Sequence, residues 1–315
     1  MTTQDMVQLT KTATPVAAVK PHSLETALEA VEKVMFDVVN SDVALLKEAS
    51  RHILGAGGKR VRPRLVLLTY LAMGGTDLEK VYPVAAALEL VHTASVVHDD
   101  INDHGVVRRG RPSVNAIWGR TFALLTGDFL FTKVYELMAP YADLNVIFAE
   151  ATVALVEGET LQAAAVKENN FTREVYYEII ARKTAALFKA GGKLGASLAG
   201  GREREIEALG QFGYNIGLAF QIVDDILDMT GDEKQLGKTA GLDAEQGKGF
   251  AFVTDEADPM VTIRRKLGAA DTVAEGRKQA EKLVQMAVAA LDVLPDTEER
   301  DALIDLAYSV INRSY

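Results

Sequence analysis

The sequence predicts an all-α protein built as one domain, on three observations. Ala, Leu, Glu and Lys are abundant. The period-two alternation of half-buried strands is scarce. Two apolar stretches, at 82–97 and 203–229, are far longer than a strand needs. Residues 1–20 are polar, with Thr, Pro and Lys, and read as a flexible arm. From residue 21 to 315 the pattern is helical almost throughout. The stretch Tyr82 to Val97 is interrupted only by Glu89, His92, Thr93 and Ser95, as expected of a buried helix. Glu203 to Met229 reads as a second one. Asp271 to Val293 and Thr297 to Val310 read as amphipathic helices at the edge of the domain. Glycines and prolines punctuate these runs at 55–58, 74–75, 105, 110–112, 140, 200–201, 231, 237–249 and 259. Neither a short-period repeat nor a low-complexity linker divides the chain.

Composition narrows the function. The 315 residues are 48% hydrophobic and 25% charged, with a net charge of −10. An acidic chain is a poor general binder of nucleic acid or of anionic membrane. The absence of cysteine removes disulfides, thiolate metal sites and thiol nucleophiles. The first residues lack a basic segment followed by an apolar core, so no signal peptide is expected. No uncharged apolar run reaches the ~18 residues of a membrane span. These features fit a cytoplasmic protein with no stable membrane insertion.

Three clusters carry chemistry. In His98-Asp99-Asp100-Ile101-Asn102-Asp103, Asp99 and Asp103 stand one helical turn apart on one face. Carboxylates so close repel unless they are solvated or bound to cations. Hard divalent ions suit them, since Mg²⁺ takes one or two carboxylates and fills its shell with phosphate oxygens and water. Asp224, Asp225 and Asp228 repeat the spacing at the end of the second apolar helix. One such motif could be a solvated helix end; two at the ends of buried helices make a cage for several metal ions and one pyrophosphate. The third cluster is basic. Gly57-Gly58-Lys59-Arg60-Val61-Arg62-Pro63 opens a helix after a glycine turn, and Arg108-Arg109-Gly110 follows Asp103 closely. A helix N-terminus with Lys and Arg suits an anion. A P-loop does not fit, because Arg60 follows Lys59 where Ser or Thr belongs. Surface arginines balancing aspartates are the bland alternative. The chemistry implied is metal-assisted departure of pyrophosphate.

In this order the motifs resemble those of the trans-isoprenyl (polyprenyl) diphosphate synthases. They are GGKRVRP at 57–63, HDDIND at 98–103, RRG at 108–110, GETLQ at 158–162, KT at 183–184, FQIVDDILD at 220–228 and GK at 237–238. The resemblance covers roughly residues 25 to 248. It implies helices around a deep central cavity, a homodimer, and isopentenyl diphosphate and an allylic diphosphate as substrates. It places Mg²⁺, three ions when diphosphate is bound, on Asp99, Asp103 and Asp224, with Asp100, Asp225 and Asp228 in support. Arg108, Lys183 and Lys238 would hold the allylic diphosphate. Lys59, Arg62, His92 and Arg109 would hold that of isopentenyl diphosphate. Thr184 and Gln221 would turn oxygen dipoles toward the allylic cation. No protein base is evident, so the final proton is expected to leave with pyrophosphate. His98 and His104 receive no role. After Lys248 the stretch 249–258 departs from the family pattern, which leaves that lysine unassigned.

Short-chain members commonly carry a bulky aromatic at the positions of Ala94 or Ser95. Both residues are small here, which points to a long-chain product of roughly thirty to fifty carbons, at ~4–5 Å of tunnel per five-carbon unit and 1.5 Å of helix rise per residue. The alternative is a farnesyl- or geranylgeranyl-length product. Rival classes fit less well. A terpene cyclase or a head-to-head synthase needs no GGKRVRP. A metal phosphohydrolase would spread histidines over several helices. A non-catalytic regulatory subunit would lack some of these aspartates or arginines.

Overall fold

The computed structural model describes residues 21–168, 170, 172–230 and 269–312. The arm at 1–20, Lys238, Lys248 and the stretch 249–258 lie outside them. Described helices are α1 (Pro21–Val38), α2 (Ala44–Leu54), α3 (Val61–Ala72), α4 (Tyr82–Asn102), α5 (Val114–Trp118), α6 (Arg120–Met138) and α7 (Asn145–Glu168). Then follow α8 (Arg173–Ile180), a π-helical turn (Ala181–Ala185), α9 (Ala186–Leu198), α10 (Glu203–Thr230), α11 (Ala269–Ala290) and α12 (Glu298–Ile311). The all-α reading holds. Among the described residues it is joined by a hairpin of two-residue strands, β1 (Val107–Arg108) and β2 (Arg111–Pro112), with Arg108 opposite Arg111. Two residues per strand are too few to show an alternation in sequence.

Local signals set several boundaries. Thr172 caps α8 by accepting from the Val175 amide, and Thr297 caps α12 by accepting from that of Arg300. Acidic Glu298, Glu299 and Asp301 fill the first turn of α12, where the helix dipole favours them.

Burial explains the arrangement. In α4, Val84 to Leu88 are all fully buried, so this helix is enclosed on more than one side, as its unbroken apolar sequence requires. α10 buries Leu209, Phe212, Ile216, Ala219, Ile222, Val223 and Ile226, a three-and-four spacing that makes one face. α11 does the same with Ala280, Val284 and Ala287 and packs on α10. α12 closes the same cluster with Leu303, Leu306, Ala307 and Val310. α9 crosses α10 with backbones in contact. A Cβ built on Gly192 would stand 2.0 Å from the Leu209 carbonyl oxygen, so glycine is required there. α4 leans on α6 through the other hydrophobic cluster. α4 and α10 thus each bury their apolar length and bring their acidic C-terminal turns to one cavity. Among the described residues, no helix is long and apolar enough to cross a membrane.

Candidate functional site

The cavity holds about 210 Å³. α4 contributes His92, Ser95, Val96 and Asp99, its C-cap contributes Asp103, and α10 contributes Phe220, Gln221, Asp224 and Asp225. The remaining wall is Leu155 and Gln162 of α7, Tyr176, Ile179 and Ile180 of α8, Lys183 and Thr184 of the π turn, and Leu187 of α9, with Arg62 and Arg108 at the border. Residues 92, 95, 96, 99 and 103 recur at three or four and define one face of α4. Ala94 lies off that face. It is fully buried in the core and is not among the lining residues, whereas Ser95 is.

The first acidic motif splits by orientation. Asp99 and Asp103 face the cavity, while Asp100 is 1% exposed. Arg108 donates to one Asp100 oxygen from Nε at 2.9 Å and Nη2 at 2.6 Å. Burial pushes the Asp100 carboxyl up, and Arg108 opposes it.

Lys183 and Thr184 project from the π turn, whose wider coil lets successive residues reach the cavity. α7 lies directly against it: a Cβ on Gly158 would stand 2.5 Å from the Lys183 amide nitrogen. Lys183 Nζ donates to Gln162 Oε1 at 2.8 Å and to Glu159 at 2.9 Å, and is 3.6 Å from an Asp99 oxygen. Burial works against the Lys183 charge, but Asp99 and Glu159 hold its affinity for the proton above the ordinary value. Desolvation and the Asp99 charge push Glu159 up to about 7, with Lys183 pulling the other way.

In the second motif Asp224 faces the cavity, and Asp225 and Asp228 are buried at 6% and 4% exposure. Asp225 accepts from Gln221 Nε2 at 2.9 Å and from the Tyr176 hydroxyl at 2.7 Å. Thr184 Oγ1 donates to Gln221 Oε1 at 2.7 Å. Burial, then Asp225, raises the Tyr176 phenol well above its ordinary value, so it remains a donor.

A second cavity of about 400 Å³ adjoins the first. Lys59, Arg60, Arg62, His92 and Arg109 line it, and Arg62, His92 and Phe220 border both. The hairpin separates the adjacent arginines. Arg109 and Gly110 form its two-residue turn at φ +52° and +71°, the left-handed pair that a tight hairpin prefers. Arg108 then serves the first cavity and Arg109 the second. Arg62 stacks over the Phe188 ring at 4.7 Å. Desolvation, then Arg62 and Arg109, holds His92 well below its ordinary value, which leaves a neutral ring with one N–H to give. Arg60 has left-handed backbone (φ +47°) and is tied to Glu32 at 2.8 Å and to buried Glu89 at 3.1 Å. It braces the loop that presents Lys59 and Arg62.

Among the described residues, no three carboxylates or imidazoles converge as a ready-made metal nest. Asp99 and Asp103 stand on one wall and Asp224 on another. That donor set suits a hard cation that completes its shell with phosphate and water. Tyr176, Glu159, Gln162 and Phe220 were given no role from sequence. Glu159, Gln162 and Phe220 lie in stretches quoted for their motif resemblance, but only folding brings Tyr176, Gln162 and Phe220 to the cavity and Glu159 to Lys183. His98, likewise without a role, points to the Leu124 carbonyl at 3.2 Å.

A family profile described as polyprenyl synthetase matches residues 43–290. The octaprenyl diphosphate synthase of Escherichia coli is 34% identical over 306 residues, covering 90% of this chain and 94% of that protein. A short chain isoprenyl diphosphate synthase of Methanothermobacter thermautotrophicus is 38% identical, covering 86% and 91%. Among solved structures, a polyprenyl synthase from Caulobacter crescentus, complexed with calcium and isoprenyl diphosphate, superposes with a TM-score of 0.85 at 32% identity, covering 96% of this chain and all of that one. The chain therefore belongs to the polyprenyl synthetase family and is a prenyltransferase of the polyprenyl diphosphate synthase type.

Proposed function

We propose that the chain joins isopentenyl diphosphate head-to-tail to an allylic diphosphate, with the allylic substrate in the first cavity and isopentenyl diphosphate in the second. One observation carries this reading: two adjoining cavities share Arg62, His92 and Phe220, yet only the first contains acidic motifs from both walls. A diphosphate that must leave needs metals, and one that stays needs only bases. Asp99, Asp103 and Asp224 would hold the ions, and the calcium in the Caulobacter complex supports a divalent metal. Mg²⁺ there, three ions in our reading, supplies neutralisation of the departing pyrophosphate.

The protein's own groups do the rest. Arg108 and Lys183 exchange their carboxylate partners for allylic phosphate oxygens, joined by Lys238 from outside the described residues. Lys59, Arg62 and Arg109 bind the second diphosphate by charge, and neutral His92 gives it a hydrogen bond. The oxygens of Thr184 and Gln221 face charge that develops on the allylic carbon, and preorganised dipoles of this kind are the largest catalytic term in many enzymes. Among the described residues that line the cavity, neutral His92 is engaged by the second diphosphate and no other neutral base is present, so the proton of the isopentenyl unit leaves with pyrophosphate. Pyrophosphate release with both substrates, and with neither alone, tests the reaction. Release from a single substrate overturns it.

Product length is read as long, because Ser95 puts no bulk on the cavity wall. A short product has its own support: Leu155, Ile179 and Leu187 put bulk on the cavity wall, which a thirty-carbon tail would have to pass. Chromatography of the product decides. α6 and α7 also expose Phe122, Leu124, Leu125, Tyr135, Val146, Val153 and Val156. An apolar surface of that extent supports a homodimer through these helices. Sedimentation as a monomer at micromolar concentration overturns it.

A further inference from the structure

The hydrogen bonds around Asp225 form a chain of which the proposed mechanism uses only one end. It runs from Tyr176 to Asp225, from Gln221 to Asp225, and from Thr184 to Gln221, at 2.7, 2.9 and 2.7 Å. Tyr176 and Thr184 stand on one continuous helical run, α8 through the π turn, and Gln221 and Asp225 are one turn apart on α10. The bonds therefore close a loop between two walls of the cavity. We propose that Tyr176 is a positioning residue for prenyl transfer, which through Asp225 fixes the Gln221 amide with its oxygen toward Thr184. The inference rests on the reading of Gln221 as a dipole for the allylic cation.

The argument concerns which end of an amide faces the reacting carbon. The terminal torsion of a glutamine is broad and two-fold, so the group turns over at little cost unless its partners forbid it. A turned amide would aim its NH₂, the positive end, at the place where positive charge develops. A carboxylate only accepts, so an Asp225 oxygen beside Gln221 demands the NH₂ and leaves the carbonyl oxygen for Thr184. That demand is only as firm as the carboxylate. Asp225 is 6% exposed, and its other oxygen is held by a phenol that is itself 4% exposed, so water is a poor substitute for either donor. The Tyr176 ring also lines the cavity, and its edge-on packing with Tyr177 at 5.5 Å needs no hydroxyl. Tyr176→Phe thus removes the bond and keeps the shape.

The test compares Tyr176→Phe, Gln221→Leu and the double variant, by steady-state kinetics and thermal melting. Tyr176→Phe is expected to lower kcat about ten- to hundredfold, while KM for both substrates stays within about threefold and the melting temperature within a few degrees. In the Gln221→Leu background the same change should alter kcat by less than about twofold, because the group it positions is gone. An equal loss in both backgrounds overturns the inference, as does a raised KM with kcat intact. If Gln221→Leu is slow and Tyr176→Phe is not, only the inference fails. If Gln221→Leu keeps full kcat, the reading of Gln221 fails and the inference with it.

Discussion

On α4 the middle aspartate of the acidic motif, Asp100, meets a guanidinium; on α10 its counterpart, Asp225, meets a phenol and an amide. The spacing of the two motifs is the same and the physics differs. Pairing with Arg108 cancels the charge of Asp100, and Lys183 stands by Asp99, so the cations gather at the α4 wall. At α10 a phenol hydroxyl and an amide NH₂ donate to Asp225, one to each oxygen. One wall is built to hand cations to a phosphate. The other holds Asp225, Gln221, Thr184 and Tyr176 in one chain of hydrogen bonds.

The cavity-facing Asp99 and Asp224 should be equivalent despite this difference. Asp99→Ala and Asp224→Ala are each expected to lower turnover by at least ~10²-fold, with helix content by circular dichroism unchanged. If one variant keeps near-normal activity with Mg²⁺, the cage has only one wall. The basic cavity should respond in KM instead. Lys59→Ala and Arg62→Ala should raise KM for isopentenyl diphosphate ~10- to 100-fold, the worth of one charged hydrogen bond, and leave that for the allylic substrate nearly unchanged. Equal effects on both substrates would merge the two cavities.

The middle aspartates of the two motifs, Asp100 and Asp225, should separate the walls. Asp100→Asn leaves Arg108 partly buried without its counter-charge and is expected to cost ~1–3 kcal/mol in chemical denaturation; that range is below a fully buried pair because Arg108 is 24% exposed. Asp225→Asn keeps an acceptor oxygen for the Tyr176 hydroxyl or the Gln221 amide and is expected to cost less. Equal costs would erase the distinction drawn here.

The pH dependence of Glu159 is a smaller test. Its folded value, about 7, lies above the ordinary 4.5, so between these values the folded state binds more protons than the unfolded one. The stability this contributes is present below about pH 4.5 and lost as pH rises through 7. In the presence of chelator, Glu159→Gln should match the native chain near pH 5 and be about 1–2 kcal/mol more stable near pH 8. A variant less stable at pH 8 would mean that the bond to Lys183 outweighs burial and Asp99. Smallest in rate, Ser95→Phe should shorten the product with turnover largely kept, whereas Ala94→Tyr should cost stability instead, because Ala94 is in the core. A shorter product from Ala94→Tyr alone would move the tail to another face of α4.

The helices, both acidic motifs and the basic loop were legible in the chain because each depends on residues within one or two turns of one another. Apolar periodicity alone places α4 and α10, and an i, i+4 spacing alone puts Asp99 with Asp103 on a shared face, whereas Asp228, one turn after Asp224, is buried away from the cavity. The tertiary structure decided what depends on distant partners. The separation of Arg108 from Arg109 hangs on a turn of two left-handed residues, in strands too short to read. The same spacing puts Ser95 on the face of Asp99 and Ala94 off it, while the burial of Ala94 depends on the helices packed against α4. The environment of Asp225 needs Tyr176, 49 residues earlier and on another helix. Local periodicity fixes which groups a helix can present, but the partner of a buried polar group is chosen by whichever helix packs against it, and a sequence does not record that choice locally.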